Sequence, residues 1–435
     1  MKQLIIDALK GKKVLILGFG REGKSTLEFI KRELPEAEVA IADQNAISDE
    51  SVVNITTYTG ENYLECCKNY DIIMKAPGVV IKDLLDDATK AKITSQTDLF
   101  MQAFGAQTIG ITGTKGKSTT STLTYEVLKA AGKETLLVGN IGKPCFDFLD
   151  QITPQTIIVY ELSAHQLEFI KASPHIAVLL NLYEEHFDHY LTPEHYYGAK
   201  KNIYRYQSAN DLLIFGDIFQ HATREEIAAL PCSKIDITKT EIVPRSEIRT
   251  KLIGDHNRLN IQVVAAIAYA LRIDGEVFKE TVAEFEGLPH RLEFVGTYSH
   301  IKFYNDSIAT AQEATINAIK ALGDVDTVIL GGMDRGLDYH PLITFIRHSN
   351  IRNVILLPDT DKRMLAIFSE DKYLQGVFRV ANMREAVVKA YEVTAPSKSC
   401  LLSPAAASYN TYKNFEERGD DFKNLVKKLG AANEL

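Results

Sequence analysis

At 435 residues the sequence is long enough for about three ordinary domains, and its 45 % hydrophobic content lets each bury a core, which excludes disordered and collagen-like chains. With 49 Lys+Arg against 57 Asp+Glu the net charge is −8, which excludes a nucleic-acid backbone as the main partner. The cysteines (Cys66, Cys67, Cys145, Cys232, Cys400) are odd in number and lack a CxxC pair, so they suggest neither a disulfide frame nor a structural zinc site. No apolar run approaches the roughly 20 residues that span a bilayer. Asp7 and Lys10 interrupt what would be the apolar stretch of a signal peptide. A cytoplasmic protein without a membrane partner is expected.

In chain order, the first predicted strand is Val14–Leu17, and it runs into GFGREGKS at residues 18–25. That segment satisfies both the dinucleotide expression GxGxxG and the phosphate-loop expression GxxxxGK[ST]. A dinucleotide fold also needs an acid at the end of the second strand to take a ribose hydroxyl. The strand at residues 39–42 closes on Asp43, which favours a Rossmann-like nucleotide site, with Lys24 and Ser25 merely opening its helix. A tight turn that packs helix on strand without a ligand is the alternative.

A polar, helical stretch is predicted over 90–107, and the next strand, Thr108–Thr112, enters GITGTKGKSTT at residues 110–120. Its spacing misses the strict phosphate-loop expression by one residue, yet the physical requirements are met. Three glycines let backbone N–H groups turn toward an anion, Lys117 can reach β and γ phosphates, Ser118 can hold Mg²⁺, and a helix follows. The metal of such a loop needs acids at neighbouring strand ends. Glu161 ends the apolar run TIIVYE, although an acid after a buried strand is also a common helix cap. Past the strand at 177–180 stand Glu184, Glu185, His186, Asp188 and His189, which read equally as a solvated loop. Lys200, on a predicted helix, reads as a surface charge.

The helix at 278–286 is broken by Gly287-Leu288-Pro289, and strands follow at 302–304, 327–330, 354–357 and 400–402. Apolar strands alternating with amphipathic helices predict an α/β class with parallel sheets covered on both faces. Cuts near 95 and 289 give domains 1–95, 96–289 and 290–435.

GITGTKGKSTT, YELSAHQLE (160–168), NLYEEHFDHY (181–190), GDHNRLN (254–260), LPHRLE (288–293), NDSIAT (305–310) and SPAAASYNTYKNFEERG (403–419) together resemble the Mur ligases, the ATP-dependent amino-acid ligases of peptidoglycan precursor synthesis. The first domain, NDSIAT and KNFEERG look like the members that add D-glutamate; folylpolyglutamate synthetases share the phosphate loop and ligase chemistry. The resemblance implies a Rossmann-like domain for a UDP substrate, a central phosphate-loop ATPase domain and a Rossmann-like domain for the amino acid, with chemistry in the cleft between them. It implies ATP, two Mg²⁺ ions and CO₂ held as a carbamate on Lys200.

Residue by residue, the resemblance implies ATP contacts at Gly113, Thr114, Lys115, Gly116, Lys117, Ser118, Thr119, Asn260, Arg291 and Asp306. It places the metals on Ser118, Glu161, His186 and Lys200, and catalysis on Lys117, His186 and Lys200. The UDP substrate would meet Gly20, Arg21, Glu22, Asp43, Gln44, Gly78, Asn140 and His186, and the amino acid Thr310, Arg335, Ser408 and Phe415. On this reading the first glycine loop holds a uridine nucleotide rather than NAD. A dehydrogenase resting on that loop would leave Lys117 to Thr120 without a role. Ile308 and Arg335 stand where many relatives carry lysine, so Arg335 would bear charge that Ile308 cannot. The partners are small molecules, and a monomer is expected.

Overall fold

The computed structural model describes residues 1–81, 84–139, 143–183, 192–369 and 376–433. They form two compact units, 1–250 with 256–283 and 251–255 with 284–435. Among the described residues the strands form three sheets, and the first unit holds two of them.

The first sheet is five-stranded and parallel, in the order Thr56–Thr59, Val39–Asp43, Val14–Leu17, Ile72–Lys75, Ile93–Thr94. Val14–Leu17 is buried at every position because helices cover both faces, which is why it reads as an unbroken apolar run. Strand order reverses on either side of it, so the loops after Leu17 and Lys75 flank a switch point, where open α/β sheets bind ligands. The second sheet is six-stranded and parallel, in the order Ser233–Asp236, Leu212–Asp217, Ile176–Asn181, Thr108–Thr112, Ile157–Glu161, Thr135–Gly139. Its central strand delivers the second glycine loop between the ends of the strands that carry Glu161 and Asn181.

One apolar core runs through both sheets of the first unit. Phe29, from the helix Arg21–Glu33, and Phe146, from the turn Cys145–Gln151, meet at 4.8 Å between ring centroids. The stretch 90–107 differs from expectation. Ile93–Thr94 is the edge strand of the first sheet, and the helix Gln96–Phe104 is buried almost throughout. Its polar residues are there as fasteners. Gln96 Nε2 donates to Glu22 O at 3.1 Å, Ser25 Oγ at 3.1 Å and Thr26 Oγ1 at 2.9 Å, and Asp98 accepts from Lys171 N at 2.7 Å.

The second unit holds a mixed six-stranded sheet, in the order Glu293–Tyr298, Ile301–Asn305, Ser399–Leu402, Val325–Gly332, Asn353–Asp359, Val377–Arg379. Apolar layers cover both faces. Its first strand is antiparallel to the second, a hairpin edge on an otherwise parallel Rossmann-like sheet. The cysteines are all buried and free. Among the described residues no helix is long and apolar enough to cross a membrane.

Candidate active site

The first glycine loop turns tightly because the helix Arg21–Glu33 starts against the preceding strand. A Cβ on Gly23 would lie 2.1 Å from Gly18 O, so the close approach requires glycine. Asp43 secures the turn by accepting from Phe19 N at 2.7 Å and Asn45 N at 2.8 Å. Lys24 leans outward to Asp49 at 2.6 Å, and Ser25 Oγ donates to Asp147 at 2.6 Å. Glu22 turns inward instead. Its Oε1 accepts from Gln166 Nε2 at 3.3 Å, while Oε2 is buried without a hydrogen-bond partner among the described residues. Burial pushes this carboxyl up to about 7, with Gln166 and Lys75 pulling the other way.

In the second loop Gly116 is the left-handed residue at φ +90° before the helix Lys117–Ala130, and a Cβ there would meet Asn260 Oδ1 at 2.6 Å. Asn260, from the helix Asp255–Ala270, therefore sits directly against the loop, and its Nδ2 donates to Asn257 at 3.0 Å. Asn181 clamps the peptide of Lys115 by accepting from its N–H at 2.9 Å and donating to its carbonyl at 3.0 Å. Thr114 Oγ1 accepts from Tyr183 N at 2.9 Å and stands 3.3 Å from Tyr196 OH. Thr119 is buried in the first turn of the helix.

Two lysines converge on this loop. Lys117 Nζ donates to the carbonyls of Gly113 and Thr114, both at 3.0 Å, and Lys200 Nζ donates to Gly113 O at 2.8 Å. Lys200 is only 2 % exposed and lies 5.0 Å above the Tyr196 ring, which corrects its reading as a surface charge. The helix Pro193–Arg205 turns it inward, where lysine is rarely found without a task. Beside the loop, Ser118 Oγ donates to Glu161 Oε1 at 2.9 Å and Ser121 Oγ to Oε2 at 3.4 Å. Glu161 is fully buried, so two hard oxygen donors from adjacent elements adjoin the phosphate-binding turn. Among the described residues no group of three or more His, Cys, Asp or Glu gathers as a metal site. His186 and Asn140, like Glu184, Glu185, Asp188 and His189, lie outside the described residues.

A single cleft of about 690 Å³ joins the two loops. One end is lined by Gly20, Arg21, Glu22, Asp43, Gln44 and Gly78, the other by Lys117, Tyr196 and Lys200. Ser163 and Gln166 form the wall between, held by a reciprocal cap at the start of the helix Ala164–Leu167.

The remaining candidates lie in the second unit. Asp306 is buried and accepts from Ser403 Oγ at 2.8 Å and Leu292 N at 3.2 Å; burial pushes it up to about 6, against those bonds and the Arg291 charge. Arg291 is exposed, between His290 and Leu292, which both take positive φ. Thr310 and Arg335 are exposed, Ser408 is buried, and Phe415 meets the His290 ring edge-on at 6.0 Å.

Sequence reasoning gave no role to Asn181, Gln166, Tyr196 or Arg418. Asn181 carried a signal, a polar residue ending the strand beside the loop strand. Arg418 carried none. It is 1 % exposed and joins Ser307 Oγ, Ser307 O and Ala406 O at 2.8–3.0 Å, tying NDSIAT to SPAAAS. Burial lowers it to about 10.

Residues 111–241 match the Mur ligase middle domain. The chain is 32 % identical to the UDP-N-acetylmuramoylalanine--D-glutamate ligase of Clostridium botulinum, over 97 % of this chain and 98 % of the relative. It is 34 % identical to the ligase of the same name from Symbiobacterium thermophilum, over 87 % and 88 %. In fold it is similar to the UDP-N-acetylmuramate-alanine ligase MurC of Thermotoga maritima, at a TM-score of 0.56 and 17 % identity over 97 % of this chain and 100 % of that one. The MurF ligase of the same organism, solved in complex with ADP, gives a TM-score of 0.57 at 15 % identity over 98 % and 100 %.

Proposed function

Because this chain belongs to the Mur ligase family, we propose that its three sheets each serve one substrate of an ATP-dependent ligation, within domains 1–95, 96–289 and 290–435. It is an ATP-dependent acid–amino-acid ligase that joins D-glutamate to UDP-N-acetylmuramoyl-L-alanine in peptidoglycan precursor synthesis. The observation that carries this reading is the cleft joining both glycine loops, because a substrate with a nucleotide at one end and a carboxylate at the other can lie along it.

The substrate carboxylate is a poor electrophile. Transfer of the γ-phosphoryl group of ATP to its oxygen gives an acyl phosphate and ADP. The amine of D-glutamate then attacks the carbonyl carbon, and the tetrahedral intermediate expels phosphate to leave the amide. Lys117, already folded over the loop, stabilises charge on the transferring group, while loop N–H groups and the helix start hold the β-phosphate. Gly113 to Thr119 form the phosphate cradle, and Asn260 contacts the nucleotide next to Gly116. Arg291 and Asp306 are the proposed nucleotide contacts of the second unit.

Ser118 and Glu161 fit a hard divalent cation, and we assign them to Mg²⁺, with His186 and Lys200 for a second ion. Bound Mg²⁺ supplies Lewis-acid neutralisation of phosphate charge. Lys200 would serve as a carbamate, formed when its neutral amine attacks CO₂ and loses a proton; its burial beside Gly113 supports a role other than solvation. Gly20, Arg21, Glu22, Asp43, Gln44, Gly78, Asn140 and His186 are the proposed contacts of the UDP substrate. Thr310, Arg335, Ser408 and Phe415 are those of D-glutamate.

Phosphate release measured with UDP-N-acetylmuramoyl-L-alanine and a panel of amino acids tests the reading. D-glutamate should support release; preference for L-lysine or meso-diaminopimelate would transfer the chain to a sibling activity.

A further inference from the structure

We propose that binding of the UDP substrate's diphosphate at the first glycine loop is coupled to uptake of one proton by Glu22, whose neutral carboxyl, not its carboxylate, belongs to the bound state. The proposal rests on the assignment of that loop to the UDP substrate.

Glu22 is the second residue of the helix that follows the loop, and it lines the cleft with Gly18, Gly20 and Gln166. A carboxylate is an unexpected group where a helix start is to meet a diphosphate, since both are anionic. Its surroundings do little to hold the charged form. Oε1 has Gln166 Nε2 at 3.3 Å, and Oε2 is a buried oxygen with no donor among the described residues. A protonated carboxyl turns that orphan oxygen into a donor; an ionised one leaves an unsatisfied buried anion.

The neighbouring charges lessen this without reversing it, since burial outweighs the pull of Lys75 toward the ionised form. From the strand Ile72–Lys75 comes Lys75, 2 % exposed at its side chain, with its ammonium 3.3 Å from Glu168 Oε2. That pair sums to zero without Glu22. From the strand Ile157–Glu161 and the turn Cys145–Gln151 come Tyr160 and Cys145, both held neutral because burial raises them well above their ordinary values. Arg21 on the same helix and Lys143, His165, Lys117 and Lys200 line the same cleft. Burial already brings Glu22 near neutrality in the free protein. Two further negative charges at the helix start disfavour its ionised form again, so a proton must enter with the ligand.

The test is calorimetric titration of the full chain with UDP-N-acetylmuramoyl-L-alanine, whose diphosphate diester and carboxylate do not titrate near neutrality. Buffers of different ionisation enthalpy read the proton count. The parent should take up close to one proton at about pH 8 and lose about fivefold in affinity between about pH 7 and about pH 8, approaching the tenfold per pH unit of a single linked proton above that. Glu22→Gln should show neither uptake nor slope, and above neutrality it should bind more tightly than the parent. Binding by the parent without proton uptake, or an unchanged slope in Glu22→Gln, overturns the proposal. The parent's proton count needs no variant. Failure of the substrate to bind at any pH would instead remove the UDP-site assignment, and this proposal with it.

Discussion

Lys24 and Lys117 answer to the same position of the GK[ST] expression in two glycine loops, but Lys24 is the fourth residue of its helix and Lys117 the first of its own, and they do opposite things. Lys24 is half exposed and reaches outward to Asp49 at 2.6 Å, away from its loop. Lys117 folds back to within 3.0 Å of the carbonyls of Gly113 and Thr114, and Lys200 joins it on Gly113. The first loop instead turns a carboxyl, Glu22, toward the cleft. A GK[ST] match thus records that a cation is present, not where it points. Direction is set by what packs on the helix: Asp49 draws Lys24 away, while the buried helix Pro193–Arg205 and Asn181 wall in the second loop.

The sharpest way to break this contrast is to truncate both lysines. Lys117→Ala should lower turnover at least about a hundredfold, since a transition-state charge contact of this kind is worth about 3 kcal/mol. Binding of UDP-N-acetylmuramoyl-L-alanine should survive, and Lys24→Ala should show no comparable loss in phosphate release. Near-normal turnover in Lys117→Ala would end the phosphate-loop assignment.

Lys200→Ala should reduce turnover on a similar scale, with acetate restoring part of it by entering the vacated anion site. Parent-like activity, or an unmodified amine seen by mass spectrometry in active protein, would remove the carbamate.

Glu22→Gln sharpens the other half of the contrast through stability. The folded protein holds this carboxyl at about 7 against an ordinary value of 4.5, so between those values the folded state binds more protons than the unfolded one. Stability from this group is therefore greatest below about pH 4.5 and declines as pH rises to about 7, by at most about 3 kcal/mol. Chemical denaturation followed across that window should show a slope in the parent that Glu22→Gln flattens; equal slopes would mean the carboxyl is not held up.

A cation outside both loops gives the smallest expected effect. Arg335→Ala should raise the KM for D-glutamate about tenfold, leaving KM for ATP and the UDP substrate within a few-fold, and Arg335→Lys should recover only part of the loss because the bidentate fork is gone. Unchanged D-glutamate saturation in Arg335→Ala would withdraw its assignment.

Much of the fold was legible because buried parallel strands declare themselves. Val14–Leu17 and Thr108–Thr112 are continuous apolar runs, and they lie where the sequence put them. Thr56–Thr59 was illegible because an edge strand with exposed threonines has no apolar signature, and Ile72–Lys75 because its apolar run ends in a lysine. The hairpin edge at Glu293–Tyr298 is half exposed and interrupted by Gly296, so it gives no alternation to read. At the site, the glycines, Lys117, Ser118 and Glu161 could be picked out because phosphate chemistry demands those residue types close to strand ends. Asn181 left only the signal of a polar strand end, and Gln166 none, because their roles are clamps whose partners, Lys115 and Glu22, are far away in sequence.

The α/β class, the two loops and the side chains available for phosphoryl transfer were therefore readable from the chain alone, because all depend on neighbours within a few residues. Folding in three dimensions set the rest: Lys200 is buried on Gly113, Lys24 faces away, Glu22 has no donor for its second oxygen among the described residues, and Arg418 is sealed among carbonyls. Those outcomes follow from desolvation and from partners far apart in the chain: Gln166 is 144 residues from Glu22, and Ser307 is 111 from Arg418. The free energy of a charge is set by the dipoles and charges that surround it in space, and chain order does not encode that environment.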